Sequence, residues 1–260
     1  DGTAATDNDP ETVYVQNVPP TVELIKTANP GNLPEPGGVF TYTLTINNTS
    51  AEPVSIATLT DTHTLSAQCT QLQGTVLPVN GSIACTYQVA YTDAGTYPNT
   101  AGVVVVDNEG SQAGDVDGES VTVTDVLPTV NLTKSASPAS RPEPGGVFIY
   151  TLLIENTSPE TVVISALTDS NALSTQCTQL VGTALAAGAS TSCQYTLTYT
   201  NAGSYPNTAS VTVRDNENNP ASDTDSETVE VTDVLPTVQL TKSVVPSSLP
   251  EPGGTFTYTL

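Results

Sequence analysis

The 260 residues carry 27 acidic against 5 basic side chains, one His, no Met and no Trp, for a formal charge of −22. That balance excludes the positive footprint needed for nucleic acid or an anionic membrane, and points to cations or water as the surroundings of the surface. No apolar stretch approaches the about 20 residues of a membrane helix, while alternating Val, Leu, Ile, Tyr and Thr suit packed strands.

The chain repeats itself. Pro20, Pro128 and Pro236 open three related segments, "PTVELIKTANP", "PTVNLTKSASP" and "PTVQLTKSVVP", spaced 108 residues apart. Residues 20–127 and 128–235 are therefore two full units, more than half identical position by position. Residues 1–19 match the last strand of a preceding unit, and residues 236–260 match the first strands of a following one. The natural expectation is a window on a longer tandem array, with strand exchange between subunits as the alternative.

Within the first unit, alternation and turn residues predict strands at about 21–27, 39–47, 53–60, 67–73, 82–91, 98–106 and 119–126, and no helix. The first predicted strand sets Val22, Leu24 and Lys26 on one face, and that face reads as inward. All three lysines, Lys26, Lys134 and Lys242, occupy this repeat position. An inward lysine needs a partner. Three readings stand: an ion pair at the rim of the core, a charge that guards an edge strand, or an isopeptide bond to an asparagine. For the last, Asn99 or Asn48 would be the acceptor and Glu35 or Asp61 the proton carrier, with Lys134 and Asn207 as the counterpart.

Cys69 and Cys85 flank a predicted hairpin, and Cys177 and Cys193 repeat them one period later. Two cysteines per unit without a recurrent His fall short of a structural zinc site. A disulfide within each unit is expected, and with it an oxidising, extracellular setting. Further on, "DAGTYPNTA" and "NAGSYPNTA" resemble the tyrosine corner of immunoglobulin-like domains, with Tyr97 and Tyr205 at the corner. The fold class expected is all-β, in tandem seven-stranded Ig-like sandwiches.

The acids recur with the repeat. Strand alternation places Glu35, Asp61 and Asp93 in loops where the chain leaves unit 1, and Glu160, Asp215 and Glu217 in loops where it enters unit 2. Asp125 lies in the junction "TDVLPTV". The "D-x-D-x-E" groups, including Asp115, Asp117, Asp223, Asp225 and Glu227, are read as loops at the same end as Glu160. Clustered oxygen ligands suit calcium, which takes roughly six to eight of them, better than magnesium. The expected calcium ligands are Glu35, Asp61, Asp125, Asp215, Glu217, Asp223 and Asp225, with the repeat equivalents Asp107, Glu109, Asp115, Asp117, Glu143, Asp169 and Asp233. The arrangement of "PE", "DNE" and "D-x-D-x-E" is similar to the interdomain calcium motifs of cadherins in principle, though not in order.

The stretch "LTKSASPASRPEPGGVFIYTLLIENTS" followed by "LTD" resembles the prokaryotic surface-protein repeats known as conserved repeat domains, most strongly over the front half of each unit. The resemblance implies Ig-like extracellular modules strung into stalks, adhesins or envelope proteins. Neither the cysteine pair nor the acidic loops belong to that pattern. No catalytic constellation is expected: His63 becomes Asn171 in the second unit, and no phosphate loop follows a strand. The expectation is a structural, calcium-rigidified stalk or filament on a microbial cell surface, whose partners are neighbouring repeats or identical chains. The alternative is an adhesin stalk with its binding tip elsewhere. "NNTS", "NGS", "NLT" and "NTS" offer glycosylation sequons.

Overall fold

The computed structural model describes residue 4 and residues 6–260. Two compact units divide the chain. One comprises Asp1–Pro128 with Ser158–Glu160 and Asp215–Asn219; the other comprises Thr129–Thr157, Thr161–Arg214 and Pro220–Leu260.

The first repeat is a β-sandwich of β1 (Val22–Asn29), β2 (Asn32–Pro34), β3 (Gly38–Asn48), β4 (Val54–Asp61), β5 (Val76–Leu77), β6 (Ser82–Tyr91), β7 (Gly95–Val106) and β8 (Gln112–Thr124). One sheet runs β1-β3-β6 and the other β2-β8-β7-β4-β5. All pairings are antiparallel except β2 with β8. The period of two is strict in β3, where Phe40, Tyr42, Leu44, Ile46 and Asn48 are buried and the residues between them are not. Val103, Val105, Val121 and Val123 of β7 and β8 join the same core. Each such apolar side chain contributes about 1.5–3 kcal/mol by leaving water. The second repeat follows the same plan, with β9 (Val130–Ser137), β10 (Ser140–Pro142), β11 (Gly146–Asn156), β12 (Val162–Asp169), β13 (Ala184–Leu185), β14 (Ser190–Tyr199), β15 (Gly203–Arg214) and β16 (Pro220–Thr232). The chain ends with β17 (Ser243–Val245) paired to β18 (Thr257–Thr259). Residues 1–3 and 5 lie outside the described residues, and the described part of 1–19 forms no strand.

One expected strand is absent. Residues 67–73 begin instead with a helical turn, α1 (Ala67–Thr70), and α2 (Thr175–Thr178) repeats it. Ser66 caps α1 by accepting from the Cys69 amide, and its own hydroxyl donates to the Thr86 carbonyl. The buried residues Cys69 and Leu72 stand three apart, a helical spacing that the strand reading overlooked. Cys69 bonds to Cys85 and Cys177 to Cys193, each pair 16 residues apart with Cα atoms 5.1 Å apart, so both expected disulfides form. The corner expected at Tyr97 also forms. Its hydroxyl donates to the Asp93 carbonyl at 2.6 Å, and Tyr205 does the same to Asn201 at 2.7 Å.

Closing a loop of this length in the unfolded chain removes about 3 kcal/mol of entropy. A Cys69→Ala/Cys85→Ala variant is therefore expected to lose about 3 kcal/mol of stability in urea unfolding under oxidising conditions. An unchanged midpoint would show that the helical turn and core hold that region without the bond.

Candidate functional site

Most of the expected ligands fall into three kinds of environment, and among the described residues carboxylates gather closely enough for a metal only in the third. The first is the core. Lys26 Nζ lies 2.5 Å from Asp61 Oδ2, with both side chains fully buried, and Lys134 pairs with Asp169 in the same way. The Tyr87 hydroxyl donates to the same Asp61 oxygen at 2.7 Å, and the His63 amide donates to the other at 2.8 Å. Burial pushes the Lys26 ammonium downward in pKa, opposed by Asp61. Asp61 and Asp169 are thus lysine partners inside each sandwich, and the expectation that they ligate calcium is corrected. The inward lysine itself is as expected. Lys242 is exposed and sits over the Tyr258 ring.

The second environment is a strand edge. "DVDGE" is the middle of β8 and "DTDSE" the middle of β16, where loops were expected. Residues two apart on a strand share a face. Asp115 Oδ2 accepts from the Leu24 amide at 2.8 Å and Asp117 Oδ2 from the Lys26 amide at 2.7 Å. Asp223 and Asp225 bind the Leu132 and Lys134 amides equivalently. β1 pairs with β3 along one edge, so these amides on its other edge would otherwise lack acceptors. These four aspartates close the sandwich and stand outside every metal-competent group among the described residues.

The third environment lies within the first compact unit. Glu35, Glu160 and Glu217 place carboxylate oxygens within 4.8 Å of one another, as do Asp125, Glu160 and Asp215. Glu160 belongs to both groups, which makes a set of five carboxylates with Glu160 shared between them. The turn that holds Glu35 needs glycine: Gly37 has φ +68°, and a Cβ there would stand 2.1 Å from the Tyr91 carbonyl oxygen. Glu35 accepts from the Ala94 and Val126 amides at 2.9 and 3.2 Å, which fixes its orientation. Asp125 Oδ2 accepts from the Asn219 side chain at 2.9 Å. Asp215 Oδ1 accepts from the Asn219 amide at 2.6 Å, while its Oδ2 is buried without a hydrogen bond. Burial, then repulsion from Glu35, Asp215, Glu217 and Asp125, pushes Glu160 up to about 7. Glu217 is raised for the same kinds of reason.

A matching group, Glu52, Asp107 and Glu109, stands one repeat earlier, and Asp107 Oδ2 is again buried without a hydrogen bond. Of the expected ligands, the structure therefore gathers Glu35, Asp125, Asp215 and Glu217 in one place, and Asp107 and Glu109 in another. Glu143 instead accepts from the Ala202 and Val234 amides, which hold it below the usual carboxylate range, and Asp233 is exposed; neither joins a group. Sequence reasoning left Glu52 and Glu160 out of the ligand set. Their signal was present: they hold one position of the repeat, directly after "NTSA" and "NTSP".

No family model matches the chain, and no curated protein does. Solved structures align at low similarity. A protein of unknown function from Porphyromonas gingivalis W83 shares 14% identity at a TM-score of 0.28, over 81% of this chain and 99% of that one. The fibronectin(III)-like modules of Clostridium thermocellum CbhA share 15% at 0.22, over 80% and 95%. A Salmonella alpha-2-macroglobulin mutant shares 12% at 0.29, over 86% of this chain and 17% of that one. At these TM-scores none of them bears on function.

Two outcomes separate the environments. Asp117→Ala deprives the Lys26 amide of a charged acceptor and is expected to cost about 1.5–3 kcal/mol, equally in calcium and in chelator; a cost that depends on calcium would return Asp117 to the ligand set. For Glu160 the sign follows from its raised pKa. Between about 4.5 and 7 the folded metal-free protein holds a proton that the unfolded chain has released, so stability falls as pH rises through that window. The melting temperature of Glu160→Gln in chelator should therefore gain on the wild type from pH 4.5 to pH 7. A constant difference between the two would contradict the crowding.

Proposed function

We propose that the chain serves an extracellular, non-catalytic structural role, in a stalk or filament of Ig-like sandwiches on a microbial cell surface, stiffened by calcium and stapled by disulfides. The observation that carries the metal is the five-carboxylate group around Glu160, in which a buried Asp215 oxygen has no hydrogen-bond donor. Uncompensated charge of this kind is stable only if protonated or if a cation is bound. A hard, divalent ion with many oxygen ligands at flexible geometry meets the need better than one demanding a strict octahedron.

Several features support a structural role. The two repeats carry the same core, corner and disulfide without an inserted loop that would mark a recognition tip. Calcium would hold the loops Ser158–Glu160 and Asp215–Asn219 against Glu35 and Asp125. An ion held there would order the two loops that carry its ligands.

Isothermal calorimetry with calcium, paired with melting in calcium and in chelator, tests the proposal. Saturable binding with a rise in melting temperature is expected, with affinity reduced at least tenfold by Asp215→Asn. Absence of binding at millimolar calcium would refute the metal role.

A further inference from the structure

We infer that Lys26 and Asn99, and likewise Lys134 and Asn207, become joined by an amide bond inside each sandwich, with Asp61 and Asp169 as the proton-transfer groups. Of the acceptors and proton carriers open at the level of sequence, two are occupied elsewhere. The Asn48 amide donates to the Glu52, Leu77 and Pro78 carbonyls, and Glu35 holds the Ala94 and Val126 amides. The lysine lies against Asp61 and the rings of Tyr42 and Tyr87, and through the Tyr87 hydroxyl the set reaches Asn99.

Each contact in the set has a chemical use. Asp61 Oδ2, 2.5 Å from Nζ, takes a proton from the ammonium and leaves a nucleophilic amine. Burial already favours that neutral form of the lysine. Asn99 Oδ1 accepts from the Thr62 hydroxyl at 2.5 Å, a donor placed where negative charge would develop when Nζ attacks the side-chain carbonyl carbon. Asn99 Nδ2 donates to the Tyr87 oxygen at 2.8 Å, and the Tyr87 hydroxyl donates to Asp61 at 2.7 Å. The tyrosine therefore links the base to the departing nitrogen. In the second repeat Lys134 Nζ and Asn207 Nδ2 stand 2.7 and 2.8 Å from one Tyr195 oxygen, which brings nucleophile and leaving group to the same atom. The repeats differ where the chemistry allows it: Thr62 becomes Ser170, which keeps the hydroxyl on the asparagine oxygen at 2.7 Å, and His63 becomes Asn171, each supplying its backbone amide to the aspartate.

The step balances without an outside reagent. The bond from Nζ to the Asn99 side-chain carbon forms, and the bond from that carbon to Nδ2 breaks. Ammonia leaves, and the remaining proton stays on Asp61. An ammonium and a carboxylate, both fully buried, are replaced by a neutral amide and a neutral acid, which removes the desolvation penalty that a buried ion pair carries. The bond would tie β1 to β7, across the two sheets, and is independent of calcium.

Intact mass of the purified chain under non-reducing conditions tests the inference, followed by digestion and sequencing of branched peptides. The expected result is a mass two ammonia molecules below that of the disulfide-bonded sequence, with branched peptides joining Lys26 to Asn99 and Lys134 to Asn207. The branched peptides distinguish the bond from succinimide formation at Asn80–Gly81, which also releases ammonia. Asp61→Ala should recover one ammonia, and if that variant does not fold the wild-type mass and its branched peptides decide together. A loss of one ammonia with one branched peptide supports the bond in that repeat and overturns it in the other. Full mass with reactive lysine amines, or loss of water with a Lys26–Asp61 branch, would overturn it.

Discussion

A carboxylate withdrawn from water must be given a proton donor or a cation, and this chain has far too few basic residues to supply its acids with cations of its own. That shortage organises the structure. Two of the five bases, Lys26 and Lys134, are used once each inside a sandwich, against Asp61 and Asp169. Four aspartates are met by backbone amides of β1 and β9. In the group around Glu160 one Asp215 oxygen is buried without a hydrogen bond, and the proposed ion would complete that site.

The aspartates of β8 and β16 show how a like-charged cluster becomes a structural device. A sandwich edge leaves a row of unpaired amides, and those of β1 are covered here by side chains from the other sheet instead of by a neighbouring strand. The bonds hold the first strand of each repeat to the last. They also place Lys26 so that its side chain turns inward, since its own amide is one of those bound.

Much of this was legible in the sequence because it rests on periodicity. The 108-residue spacing, the inward face of Val22, Leu24 and Lys26, and the pairing of cysteines follow from position alone. The role of "DVDGE" was not legible. Two aspartates on one face of a strand look the same whether that face meets a metal or the amides of a strand some 90 residues earlier in the chain. Asp61 was misread for a related reason: its loop-like motif "LTD" ends a strand whose last side chain is drawn in by a lysine 35 residues upstream. The helical turn at Ala67–Thr70 was hidden by strand-rich surroundings, although Ser66 and the spacing of Cys69 and Leu72 announced it. Glu52 and Glu160 were legible in principle. They are single acids without a motif, and only their shared place in the repeat marks them.

The carboxylates around Glu160 are proposed to form a cation site, whereas those of "DVDGE" accept from backbone amides. Anomalous diffraction from crystals grown in calcium addresses both halves in one map. The expected result is a peak coordinated by oxygens of Asp125, Glu160 and Asp215 or of Glu35, Glu160 and Glu217 at about 2.3–2.6 Å, and none beside Asp115 and Asp117. A peak at Asp115 and Asp117, or a featureless map around Glu160, would contradict it.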